Sequence, residues 1–129
     1  YGIDASSVLR SEGPTGAAVI TVCGGDNHII LDVGANGTVT PEVIAANESL
    51  FDWADILVMQ YEIPTESVLA AAKMAHEKGK MIFVHIDLAE GIGKDKTGIE
   101  FLRSVGVDGI ISTRTNLIKL AKKRIVEVF

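Results

Sequence analysis

The sequence predicts an α/β fold: an open, mainly parallel sheet with helices on both faces, preceded by an antiparallel β-hairpin. Three observations predict it. From Thr40 onward, short apolar runs alternate with helical stretches, the rhythm of strand–helix–strand units. The strand runs are apolar almost throughout rather than at every second residue, as in strands buried on both sides. Before Gly34, two β-branched runs, Ala17–Val22 and His28–Val33, flank Cys23-Gly-Gly-Asp-Asn27, whose glycines and Asn/Asp supply the dihedrals of a tight reversal.

The elements follow in order. The hairpin covers 17–33, and Gly34-Ala-Asn-Gly37 breaks the chain. Thr40-Pro41-Glu42 starts a helix with a hydroxyl cap, proline at the first helical position and an early acid; it runs to about Phe51. A strand at 55–60 follows. Pro64-Thr65 opens a second helix, which Gly79 stops in the left-handed conformation. The next strand is 81–86. A third helix spans about Asp95 to Val105 and ends at Gly106. A strand at 107–112, a basic-ended helix from Thr115 or Asn116 to Lys123, and a last strand at 124–129 complete the chain. Crossovers between parallel strands are expected to be right-handed. A flavodoxin-like or Rossmann-like open sheet fits better than a closed barrel, which needs eight strands.

At 129 residues the length suits one α/β domain, 1–129, with a single core. Apolar residues make up 47% and the net charge is −5, so no global basic field draws in nucleic acid or an acidic membrane. Cys23 is the single cysteine, which excludes an internal disulfide and suits a reducing, cytoplasmic setting. No apolar run is long enough to span a bilayer, and no signal-peptide pattern is present. The chain opens on Tyr-Gly-Ile-Asp rather than Met, as an excised segment would.

Ligands of open α/β sheets bind beyond the carboxyl ends of the strands. Those ends deliver Gln60 and Glu62, then His85 and Asp87, then Ser112, Thr113 and Arg114. His85 and Asp87 lie two apart and share a side of a strand. They read as a general base with its carboxylate orienter, as two ligands for a divalent metal, or as a capped strand end. Glu62 can accept hydrogen bonds from a polyol or stand as a solvated loop acid. Arg114 can hold a phosphate bidentately or be a surface cation. Gly91-Ile-Gly-Lys-Asp-Lys-Thr-Gly98 is not a P-loop, because Leu88 and Asp95 occupy the positions where glycine and Ser/Thr are needed. It reads as a flexible loop, with anion binding at the following helix start as the alternative. Lys119, Lys122, Lys123 and Arg124 lack interleaved aromatics and read as a basic helix end rather than an RNA surface.

Residues 1–84 resemble the middle of a ribokinase-like carbohydrate kinase, on Thr15–Val22, Gly34-Ala-Asn36, Ala54-Asp-Ile-Leu57 and Met59-Gln-Tyr-Glu-Ile-Pro64. The resemblance implies that Glu62 contacts sugar hydroxyls and that the early strands belong to a sugar-covering lid and dimer contact. The sugar-binding motif, the anion hole and the catalytic base of that family have no match, so no phosphoryl transfer is expected. From about residue 71 to 121 the chain resembles the glycerol-uptake operon antiterminator proteins, on His76-Glu-Lys-Gly79, Phe83-Val-His-Ile-Asp-Leu88, Glu90-Gly91, Gly106–Arg114 and Asn116-Leu-Ile-Lys119. That resemblance implies a regulator responding to glycerol 3-phosphate and acting on leader mRNA.

The two resemblances overlap over Ala71–Val84, a helix leading into a buried strand, and point to a chimera with a kinase-like part, 1–84, and an antiterminator-like part, 85–129. Three functional readings follow: an incomplete kinase with weak polyol affinity, a regulator binding a phosphate ester near His85, Asp87 and Arg114, and an assembled fold with no selected ligand. No cofactor and no metal are expected, RNA enters only with the regulator reading, and a homodimer through the hairpin or an edge strand is expected.

Overall fold

The computed structural model describes residues 2–87, 89, 91–123 and 127–128. Its contacts gather into two compact units, one up to Thr38 and one from Val39.

The first unit is the hairpin. Strands β1 (Ala17–Cys23) and β2 (Asp26–Asp32) pair antiparallel from Ala17↔Asp32 to Cys23↔Asp26. The reversal is tighter than the expected 23–27 loop. Gly24 and Gly25 alone turn the chain, with φ of +61° and +85°, the two positive values a two-residue hairpin turn requires. A 3-10 turn at Gly34–Thr38 follows. One hairpin face collects Ala18, Ile20, Val22, Ile29 and Leu31, and Ile20 and Val22 remain 57% and 71% exposed.

The second unit holds the parallel sheet. Its strands are β3 (Ile56–Gln60), β4 (Met81–His85), β5 (Gly109–Ile111) and β6 (Glu127–Val128), arranged in chain order with every pairing parallel. Helices α1 (Pro41–Ala46), α2 (Ser49–Trp53), α3 (Thr65–Glu77), α4 (Lys96–Ser104) and α5 (Thr115–Ala121) accompany it. The open, mainly parallel sheet with flanking helices and an antiparallel hairpin is thus present. Of the predicted last strand, residues 124–126 and 129 lie outside the described residues.

The predicted helix over 41–51 is two short ones. Asn47 ends α1 at φ −109°, and its side-chain Nδ2 donates to Val43 O at 2.8 Å. An Asn side chain competes with the helix ladder in this way. Thr40 stands at the N-cap, where its carbonyl accepts from Ile44 N at 3.2 Å but its side chain makes no bond to the helix backbone. Its hydroxyl instead serves Glu42, holding that carboxyl below its usual range.

The core forms where the helices meet one side of the sheet. Helix α3 buries Val68, Ala71, Ala72 and Ala75 on one stripe, the 3.6-residue spacing of a packed face. Against it lie Met59, Ile82, Val84 and Ile110, with Ile99 and Leu102 from α4 and Leu117 from α5. Each large side chain buried here contributes about 1.5–3 kcal/mol relative to exposure. Cover of the two sheet faces is unequal. Ile56 and Val58, which alternate with the partly buried Leu57 and the buried Met59 of β3, are 43% and 62% exposed. Phe83 is buried on that same side because its ring lies against Gly109 of the next strand; a Cβ there would sit 2.6 Å from Phe83 Cδ1.

Gly79 (φ +65°) and Gly106 (φ +86°) end α3 and α4 as predicted. Among the described residues no helix is long and apolar enough to cross a membrane.

Candidate functional site

The carboxyl ends of β3, β4 and β5 lie side by side because the strands pair in register: Gln60↔His85 and His85↔Ile111. Polar residues follow each strand, so the rim is built from Gln60 and Glu62, His85 and Asp87, and Ser112 to Arg114.

Asp87 is the hub. Its carboxylate accepts from the Ser112 hydroxyl, from Thr113 N at 2.7 Å and from Thr113 Oγ1 at 2.5 Å. Ser112 Oγ in turn accepts from Arg114 N at 3.0 Å. Burial pushes the Asp87 carboxyl up, but the hydrogen bonds from Ser112 and Thr113 and the nearby His85 imidazole outweigh it and hold the group down at about 2. At neutral pH it is a fixed anion that locks the end of β4 to the loop after β5. Asp87 therefore directs its oxygens to Ser112 and Thr113, and His85 acts on it through charge. His85 itself is half-buried at the end of β4.

Glu62 is half-buried and accepts from Gln60 Nε2 at 2.9 Å, which places it beyond the strand neighbouring His85. Arg114 is exposed at the start of α5.

Lys94 joins the site, although the sequence reading placed it in a flexible loop. Its Nζ donates to Ala89 O at 2.6 Å. Burial and the charge of Arg114 push the Lys94 ammonium down, while Asp87 pulls it up. Two cations, Lys94 and Arg114, thus share the rim with the carboxylates of Asp87 and Glu62, and Lys94 feels the charges of Arg114 and Asp87. The loop is held in shape by its glycines. Asp95 caps α4 by accepting from Gly98 N at 3.0 Å. A Cβ on Gly98 would overlap the Gly93 carbonyl, so the backbone packs where a side chain would stand. The glycine spacing that failed as a P-loop carried this signal. Among the described residues no group of three or more His, Cys, Asp or Glu side chains gathers to hold a metal ion.

The rim thus brings together an exposed guanidinium, a tethered ammonium, a buttressing carboxylate that accepts hydrogen bonds from the hydroxyls of Ser112 and Thr113, and a second carboxylate one strand away. Its two cations are the groups able to meet an anion.

Comparisons with known proteins find two kinds of relative. A family model described as glycerol-3-phosphate responsive antiterminator matches residues 48–128. In sequence, the ribokinase of Schizosaccharomyces pombe is 39% identical over 80 residues, which is 60% of this chain and 25% of that protein. The ribokinase of Staphylococcus aureus is 40% identical over 80 residues, 60% of this chain and 26% of that protein. The chain therefore spans about a quarter of the length of these curated relatives. Among solved structures, the glycerol uptake operon antiterminator regulatory protein of Listeria monocytogenes matches 65% of this chain and 46% of its own, at 31% identity and a TM-score of 0.53. The ribokinase of Giardia lamblia shares the fold over 87% of this chain and 36% of its own, at 19% identity and a TM-score of 0.61. The double resemblance read from the sequence is present in both sequence and structure.

Proposed function

The chain belongs to the glycerol-3-phosphate responsive antiterminator family, and from that premise we propose that it is a ligand-sensing regulator rather than a kinase. The ligand is a small phosphate ester, glycerol 3-phosphate, bound at the rim. The observation that carries this reading is the placement of Lys94, tied to Ala89 O, within reach of the charges of both Arg114 and the hydrogen-bonded Asp87 at the ends of β4 and β5. In this reading Arg114 takes the phosphate, Lys94 turns from the Ala89 carbonyl to join it, and His85 supplies a further donor. Asp87 positions Ser112, Thr113 and Arg114. RNA is the macromolecular partner that the family description of an antiterminator implies.

A second reading is favoured by the ribokinase relatives. Glu62, at the end of β3, then contributes weak polyol affinity without phosphoryl transfer. We take the chain to be a chimera of the two lineages, kinase-like over 1–84 and antiterminator-like over 85–129, with α3 and β4 as the shared unit. A homodimer through the apolar face of the hairpin or the edge of β3 fits the exposure of Ile20, Val22, Ile56 and Val58.

Thermal unfolding in the presence of millimolar ligand separates the readings. The regulator reading expects stabilisation by glycerol 3-phosphate that Arg114→Ala removes. The polyol reading expects stabilisation by ribose that Glu62→Ala removes. A chain that responds to neither has no selected ligand among these, and phosphorylation of ribose above background would refute the non-kinase reading.

A further inference from the structure

The opposite end of the sheet carries a second cleft. Helices α3 and α4 end there, since each leads into the start of the next strand. Between them lies a cleft of about 550 Å3, within the size range of small-molecule sites. Leu69, Ala72 and Val105 give it an apolar lining, and Lys73, His76 and Arg103 give it three basic side chains. Among the described residues no carboxylate lines it.

The attraction of a helix C-terminus for cations accounts for Arg103 and His76, which lie in the last turns of their helices. It does not account for Lys73, one turn earlier, nor for the apolar lining. Lys73 has an ion pair to Glu77 at 3.9 Å, between exposed side chains. Such a pair is weak and an entering anion can displace it. Gly106 keeps the floor open: a Cβ there would stand 2.8 Å from His76 Nδ1.

We propose that the cleft between α3 and α4 binds a phosphate monoester with an apolar or aromatic body. The phosphate lies between Lys73, His76 and Arg103, and the body lies against Leu69, Ala72 and Val105. The site is separate from the rim and takes ligands that the polar rim does not favour. The proposal goes beyond the rim reading and does not rest on it.

Phenyl phosphate is the probe, followed by amide chemical shifts in 15N-labelled protein. The expected result is saturable shifts centred on Lys73, His76 and Gly106, with phenol and inorganic phosphate each at least about tenfold weaker. Arg103→Gln combined with Lys73→Gln should weaken phenyl phosphate by about tenfold or more. Leu69→Glu, at a position 45% exposed, should do the same by placing a carboxylate in the cleft. Dispersed spectra of both variants report that they fold. Glycerol 3-phosphate added to the double variant reads the rim independently, through the amides of Asp87 and Arg114. Shifts centred on the rim, binding that survives in both cleft variants, or inorganic phosphate binding as tightly as the ester would overturn the proposal.

Discussion

Asp108 and Ile82 hydrogen-bond each other twice. Asp108 N donates to Ile82 O at 2.9 Å, and Ile82 N donates to the Asp108 carboxylate at 2.8 Å. The pair closes the start of β4 against the residue that precedes β5. Ile82 is fully buried, so its N–H depends on this carboxylate. Asp108→Ala should cost roughly 1–3 kcal/mol, the range for a buried donor left without a partner. Asp108→Asn, which keeps an acceptor oxygen, should cost less. Urea unfolding of the two variants checks the order; equal losses would show that a neutral acceptor at 108 does not serve the Ile82 N–H.

Asp87 makes a pH prediction. Its folded carboxyl titrates at about 2 against an ordinary value of 3.8. A lowered carboxylate adds stability that is fully present above the ordinary value and lost as pH falls through the folded one. The Asp87 contribution should therefore be intact above about pH 4 and fade toward pH 2. Melting temperatures of the parent and Asp87→Asn should converge across that window. A gap that stays constant down to pH 2 would mean the charge contributes nothing.

The loop that holds Lys94 depends on a glycine. A Cβ at Gly98 would overlap the Gly93 carbonyl, so Gly98→Ala must move the loop or the start of α4. Overpacking of this kind costs about 1–3 kcal/mol. The more telling effect is on the rim: displacement of Lys94 should weaken glycerol 3-phosphate by more than the loss of stability implies. Calorimetric titration at a temperature where the variant is folded measures this, and unchanged affinity would remove Lys94 from the site.

The hairpin face predicts an assembly effect. Ile20 and Ile29 are direct partners across β1 and β2 on the apolar face, and both are at least half exposed. If that face pairs two copies, Ile20→Lys should shift sedimentation to the monomer without changing the melting of the sheet unit. A parent that sediments as a monomer at high concentration excludes the contact.

Much of the fold was legible. Apolar β-branched runs and glycine stops located the strands and the longer helices, because strand burial and left-handed helix ends are local demands on residue type. They missed the 3-10 turn at Gly34–Thr38 and the division of the first helix into α1 and α2. Asn47 shows where that reading ends. Its pattern position fits a continuous helix, but its side chain satisfies Val43 O and breaks the ladder. The rim was half legible. Strand ends named Glu62, His85, Asp87 and Arg114, since topology fixes where strands point. Which partner Asp87 chooses is a tertiary matter. Ser112 and Thr113 lie 25 and 26 residues away, and no local pattern prefers them over His85. Lys94 is hidden for the opposite reason: the glycine spacing around it does not match a P-loop, and the local alternative, an anion at the following helix start, rests on backbone N–H groups and does not single out this side chain.

The parallel sheet is laid down in the order of the chain, each strand against the one next in sequence. Every closure therefore spans a single strand–helix step, and the entropy lost at each is small. A unit in such an array answers only to the units on either side, as in tandem repeats. Exchange of material at a seam then asks for one matched helix and one matched strand, not for a matched protein. Ancestry and architecture are uncoupled in a sheet of this kind, so a single chain can carry likenesses to two lineages and still fold as one continuous succession of strands.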